Sequence, residues 1–165
     1  MEQLANLFDA INRVIGRGIR WLALVMLLIQ FGIVVGRYVF GVNSIAVQES
    51  VLYLHATLFM LGAGYTLLLD RHVRVDIFYS KLGPRARRRI DLFGHLAFLI
   101  PSMLVLLYWS WPSVRNAWAI FEGPISVGGI KGVFLLKTLI PAFCVLLILQ
   151  SLSGILRLLR PEADQ

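Results

Sequence analysis

The apolar residues of this chain fall in long blocks, not in short alternating runs. Four of these blocks reach the length of about 20 residues that an α-helix needs to cross a hydrocarbon layer of about 30 Å. The long polar interruption is Leu69–Asp91, read LDRHVRVDIFYSKLGPRARRRID. It carries seven of the sixteen Lys and Arg residues: Arg71, Arg74, Lys81, Arg85, Arg87, Arg88 and Arg89. A stretch of that charge between two spans is held at one face of a bilayer. The expected fold is an all-α integral membrane protein, one membrane domain over residues 1–165, with four transmembrane helices and short interfacial amphipathic helices.

Composition excludes the soluble alternatives. The chain is 58% hydrophobic and 15% charged, too little polar surface for a soluble domain of this size. Its net charge of +7 would suit nucleic acid, but the charges cluster at the ends of apolar blocks, where they set membrane orientation and meet anionic lipid. Membrane lipid is therefore an expected partner and nucleic acid is not. The one cysteine, Cys144, lies within an apolar block and has no partner for an internal disulfide.

Residues 2–20 place Leu4, Leu7, Phe8, Ile11, Val14, Ile15 and Ile19 at three- and four-residue spacing, with Arg13, Arg17 and Arg20 on the other side. That pattern predicts an amphipathic helix lying in the interface before the chain turns into the membrane. The alternative is a plain extension of the first span into water. Spans are expected at about 21–40, 45–69, 90–111 and 133–156, with a basic loop over 70–89. Ser44 is placed to cap the second span. Gly83 can end a short interfacial helix over 76–82, and Pro84 can start the next helix in its first turn. Tyr108, Trp109, Trp111 and Trp118 suit an aromatic belt, and Lys137 can snorkel from the fourth span. Gly32 and Gly36 form a GxxxG pair, and with Gly62 and Gly64 they are expected to mark close helix contacts.

Orientation follows from counting. Twelve Lys and Arg fall on the side of the termini and the 70–89 loop, against Arg37, Arg115, Lys131 and Lys137 on the other. The bias predicts N-in, C-in.

Ionisable groups inside the membrane are candidate functional residues. Glu49, near the start of the second span, is either a proton or sodium site or a structural anchor paired with Arg37 or with a partner subunit. The anchor is favoured, because one acidic group without acidic or hydroxyl companions makes a poor ion path. His55 and His95 raise a haem-binding, electron-transfer membrane anchor as a rival. Helix rise puts them about 9 Å apart in depth, too far for ligands of one haem. His72 and Asp76 stand four apart in the basic loop, and no further ligand completes a metal site. The chain shows no nucleotide loop, catalytic triad or metalloprotease helix, so neither enzyme nor resident cofactor is expected. It also lacks the repeats and broken helices of a self-sufficient carrier, which weakens a second rival, a small dimeric exporter.

The segments RYVF (Arg37–Phe40), QES (Gln48–Ser50) and LGAGYTLLLDRHVRVDIFYSKLGPRAR (Leu61–Arg87) resemble the small permease subunit of tripartite ATP-independent periplasmic (TRAP) transporters. WAIFEGPISVGGI (Trp118–Ile130) and LLKTLIPAFCVLLILQ (Leu135–Gln150) resemble its mannitol/chloroaromatic-type branch. Many members carry a tryptophan shortly before the glutamate matching Glu49; here Ile45, Ala46 and Val47 stand there. The resemblance implies a multi-pass subunit of the bacterial inner membrane. It implies pairing with a large permease subunit that carries the substrate and sodium sites. It also implies a periplasmic solute-binding protein that delivers organic-acid-type solutes. On that reading Arg37, Glu49, His72, Asp76, Gly32, Gly36, Gly62 and Gly64 are structural or subunit-contact residues.

Overall fold

The computed structural model describes residues 2–71, 79, 81–124 and 126–159. The described residues form four long helices: α1 (Glu2–Val39), α2 (Ile45–Leu68), α3 (Pro84–Ala119) and α4 (Val133–Leu158). Each is long and apolar enough to cross a membrane. Helices suit such segments because every backbone N–H and C=O in hydrocarbon must be bonded within the segment.

The helix ends follow local chemistry. At the end of α1 the Gly36 carbonyl accepts from the N–H of both Phe40 and Val42 (3.2 and 2.9 Å). Gly41, at φ +67°, reverses the chain there. Ser44 stands at the N-cap of α2, but its side chain makes no capping bond; its carbonyl accepts from Gln48 N–H at 3.2 Å. Asp70, in the left-handed region at φ 54°, ends α2. Its N–H bonds the Leu67 carbonyl and that of Arg71 bonds Thr66, both at 3.1 Å, closing the last turn. Pro84 occupies the first turn of α3, as its missing N–H allows.

Two helices run further than expected. Residues 2–39 form one unbroken α-helix of 38 residues, about 57 Å long. The turn expected near residue 20 is absent, and the basic segment continues straight into the apolar one. The reason lies in which face is covered. Ala5, Asp9, Asn12 and Gly16 are the buried residues of α1, while Leu4, Leu7 and Val14 are exposed. The polar and small stripe packs inward, while Leu4, Leu7 and Val14 face out and Phe8, Ile11, Ile15 and Ile19 are half-buried between them.

α3 likewise continues to Ala119, beyond the span expected over about 90–111. It carries a π segment at Gly94–Leu99, in which the Ile100 N–H reaches back to the His95 carbonyl. Pro101 follows directly. A proline there has no N–H to give, and its ring crowds the preceding turn, so the helix widens by one residue.

α4 is the centre of the bundle. It packs against α1, α2 and α3, and α1 also packs along α2. Pro141, Cys144, Leu146, Leu147, Gln150, Ser151, Ser153 and Ile155 on α4 are buried. The other helices keep wide apolar faces exposed, including Phe31 on α1, Phe59 on α2 and Val105 on α3. In water such faces would aggregate; a bilayer or a partner helix covers them.

Candidate functional site

Two polar clasps hold α4 at its two ends. At its C-terminal end the clasp is centred on Asp9 of α1. The Asp9 carboxylate accepts from Gln150 Nε2 (3.0 Å), Ser153 Oγ (2.6 Å) and the Arg157 guanidinium. Ser153 Oγ also lies 3.2 Å from the Ala5 carbonyl. Asn12 Nδ2 donates to the Leu146 carbonyl at 3.3 Å. Asp9, Asn12, Gln150, Ser151 and Ser153 are all buried. A carboxylate in such a place needs both a counter-charge and hydrogen bonds, and Asp9 has both. His95 of α3 joins the same region through Ser151 Oγ, 2.9 Å from His95 Nδ1. The ring lies close over Gly154, where an added Cβ would stand 3.1 Å from Nε2.

Beside this clasp lies a cavity of about 470 Å³ lined by Asp9, Arg13, Asp70, Tyr79, Asp91 and Arg157 among others. Its walls mix both charge signs, and they are largely paired: Tyr79 Oη donates to Asp91 at 2.6 Å, and Arg157 meets Asp9. The first turns of α1, the end of α2, the start of α3 and the last turns of α4 therefore share one end of the bundle.

The second clasp is at the other end. Glu49 of α2 reaches the loop before α4, where its carboxylate accepts from Ser126 Oγ and from the Ile130 N–H (2.7 Å). Tyr53 Oη sits 3.5 Å from the Ile130 carbonyl. The loop is shaped for this contact. Gly128 takes φ +84°, and a Cβ on Gly129 would overlap the Glu49 carboxylate. Lys137 pairs with Glu122 across the same loop, so it does not extend freely from the helix as expected. Trp118 Nε1 donates to Thr138 Oγ1 at 2.9 Å, joining α3 to α4.

The sequence-derived candidates distribute as follows. Glu49 bonds the 126–130 loop and makes no ion pair with Arg37. Arg37 lines a different place, a cavity between α1 and α2 shared with Gln30, Gln48 and His55. His72 and Asp76, like the interfacial helix expected over 76–82, lie outside the described residues apart from Tyr79 and the end of that segment. Among the four glycines, Gly64 lies against Asn12 and Leu146 with no room for a Cβ. Gly62 meets Ile19 at 3.5 Å and Gly36 meets the Val42 carbonyl at 3.7 Å, both ordinary contacts. Gly32 faces open space. An equally tight interhelical approach, not foreseen, is at Gly16, where a Cβ would overlap the Tyr65 ring. His55 and His95 line separate cavities, so they do not converge on one site.

Sequence reasoning missed the Asp9 clasp. Its signal was present as Ala5, Asp9, Asn12 and Gly16 at helical spacing, and as Gln150, Ser151, Ser153 and Gly154 inside a leucine-rich run. Small and hydrogen-bonding residues at such positions mark helix contacts in membranes. Among the described residues, no group of three or more His, Cys, Asp or Glu could hold a metal ion.

The arrangement is that of a braced helical unit whose polar groups mostly tie its own helices together. The model of one family, described as tripartite ATP-independent periplasmic transporters, DctQ component, matches residues 26–161. The chain belongs to the DctQ family. It is thus the small membrane subunit of a TRAP transporter, a multi-pass component of the inner membrane, and the family is a transporter component, not a family of enzymes. DctQ components associate with a large permease and a binding protein. The match takes in α2, α3 and α4 whole, and the last part of α1, but not the Asp9 half of the first clasp. No curated protein matches the sequence.

Proposed function

We propose that this subunit is a non-catalytic scaffold of a sodium-driven importer of organic-acid-type solutes, working beside a large permease subunit and a periplasmic binding protein. The observation that carries the reading is the DctQ match over residues 26–161. The two clasps support it. They commit Asp9 and Glu49, the acids most suited to an ion path, to holding helices and a loop in place. A rigid unit of this kind braces a moving partner by staying fixed in depth.

The proposed orientation is N-in, C-in. The first turns of α1, the end of α2, the start of α3 and the last turns of α4 share one end, and the stretches that adjoin it in sequence carry the positive bias. Glu49 is then a structural anchor near the periplasmic face. Its loop (126–130) stands where a binding protein would approach. The membership of the mannitol/chloroaromatic-type branch rests on the motifs around Trp118–Ile130 and Leu135–Gln150.

The test is a pull-down of the tagged chain from detergent-solubilised native membranes. A large multi-span permease in about equal amount is the expected result. Recovery of the chain alone, or as a homo-oligomer, would overturn the reading. Glu49→Ala is expected to weaken recovery of the large subunit. Intact assembly with loss of sodium dependence alone would make Glu49 an ion site instead.

A further inference from the structure

Near the Val39–Ile45 turn, α1 and α2 leave a trough between them. It comprises cavities of about 710 and 560 Å³ that share Met26, Gln30, Val34 and Val51. From Ala23 to Arg37 it follows about 21 Å of helix, most of the thickness of a hydrocarbon core. Its walls are apolar apart from Arg37, Tyr38 and Gln48 toward the turn and Gln30 and His55 further in.

Depth makes the last two unusual. Gln30 stands about 14 Å back from the end of α1, and His55 about 15 Å beyond the start of α2. The two are level, near the middle of a bilayer. Both are exposed, and neither has a hydrogen-bond or ion-pair partner among the described residues. Arg37 also lacks one. His55 only stacks on Phe59, at 6.4 Å between ring centroids. Several other polar side chains of the helices are bonded within the chain, as at Asp9, His95 and Glu49, although Asn12 Oδ1 and Gln150 Oε1 are buried without a partner. Lipid tails offer no donor or acceptor at mid-depth, so a polar side chain there calls for a protein neighbour.

We propose that a membrane-spanning helix of the large permease subunit lies in this trough, with a carboxylate facing Arg37 and a hydrogen-bonding side chain level with Gln30 and His55. The proposal rests on the transporter-subunit reading above. Charge excludes a second copy of this chain as the natural occupant. A two-fold pairing of troughs would set Arg37 toward Arg37, and the nearby Glu49 carboxylate is already taken by Ser126 and Ile130. An acyl chain would fill the apolar walls and leave Gln30 and His55 unbonded.

The test places a photoreactive benzoylphenylalanine at Val34, in the trough, or at Val105, on the exposed face of α3, in the chain co-expressed with its transporter and irradiated in native membranes. A crosslink to the large subunit from Val34 and none from Val105 is expected. If the large subunit co-purifies but crosslinks only from Val105, the trough is wrong while the family reading stands. An adduct from Val34 only to lipid, or to a second copy, also overturns the trough. If no large subunit co-purifies with the tagged native chain, the underlying reading fails and takes the proposal with it. A second measurement uses Gln30→Leu and His55→Leu. Each is expected to weaken association with the large subunit roughly threefold, the effect of one interhelical hydrogen bond in a membrane. The purified full-length chain should keep its helix content. Unchanged association in both variants would overturn the proposal.

Discussion

Glu49 and Ile130 stand 81 positions apart, and the Ile130 N–H donates to the Glu49 carboxylate at 2.7 Å. This bond, with that from Ser126, joins the second helix to the loop that starts the fourth. It also explains why residue 129 is glycine. A Cβ there would occupy the space of the carboxylate and push it off both donors.

Glu49→Ala and Gly129→Ala are therefore expected to cause the same defect. Each should lower the unfolding midpoint in detergent through the lost charge-assisted bonds. Once Glu49 is alanine, the Cβ at 129 meets no carboxylate, so the double variant should be little worse than Glu49→Ala alone. A double-mutant cycle on thermal unfolding reads the coupling. Simple additivity of the two losses would show that the clasp is not what Gly129 protects.

The Asp9 clasp predicts a graded series at the other end. Asp9→Asn keeps an acceptor for Ser153 and loses the charge facing Arg157. Asp9→Leu loses both, strands Gln150 Nε2 without its acceptor and leaves Ser153 only the Ala5 carbonyl. The leucine variant should be the less stable by about 1–3 kcal/mol. Equal unfolding midpoints for the two would mean that α1 and α4 hold together by packing alone.

Gly16 and Gly32 lie on one helix and should respond in opposite ways. Gly16→Ala brings a Cβ into the base of the Tyr65 side chain, which cannot rotate clear, so α1 and α2 must separate. A cost of about 1–3 kcal/mol is expected. Gly32→Ala meets nothing within the chain, and its higher helix propensity should leave the chain as stable or slightly more so. Unfolding of the two purified variants compares them directly. A destabilised Gly32→Ala with a tolerant Gly16 would contradict the packing of α1 on α2.

Orientation is open to cysteine labelling, because the native Cys144 is fully buried and should stay silent. Val127, 93% exposed in the 126–130 loop, should react in intact cells with a membrane-impermeant maleimide once changed to cysteine. Arg85→Cys, at the basic end, should react only after lysis. The reverse pattern would invert the proposed topology.

Much of the architecture was legible without coordinates. Block hydrophobicity identifies four spans, because a helix that crosses lipid must be apolar over its whole length whatever it packs against. Pro84 marked the start of α3 for a purely local reason. The course of residues 2–20 was misjudged at its end, where the helix runs on without the expected turn. Its outward Leu4, Leu7 and Val14 agree with an apolar face toward the membrane; what went unread is that Asp9 and Asn12 face in and pack against the bundle. The Glu49 partner was not legible: Arg37 and a partner subunit were the anchors weighed, whereas Ser126 and Ile130 hold the carboxylate, and nothing in the order of residues says that the loop at 126–130 folds back over the start of α2.

The sequence by itself determined that the chain is a four-span membrane protein, where its polar stretches fall, and, through its motifs, which family it resembles. These depend on composition along one helix at a time. Only the tertiary structure decided which polar side chains are consumed inside the chain and which are left over. Asp9 and Glu49 are matched by groups more than 70 positions away, whereas Arg37, Gln30 and His55 are not matched within the described chain. That division depends on which helices touch, and helix contacts are set by the packing of several faces at once, which no local pattern encodes.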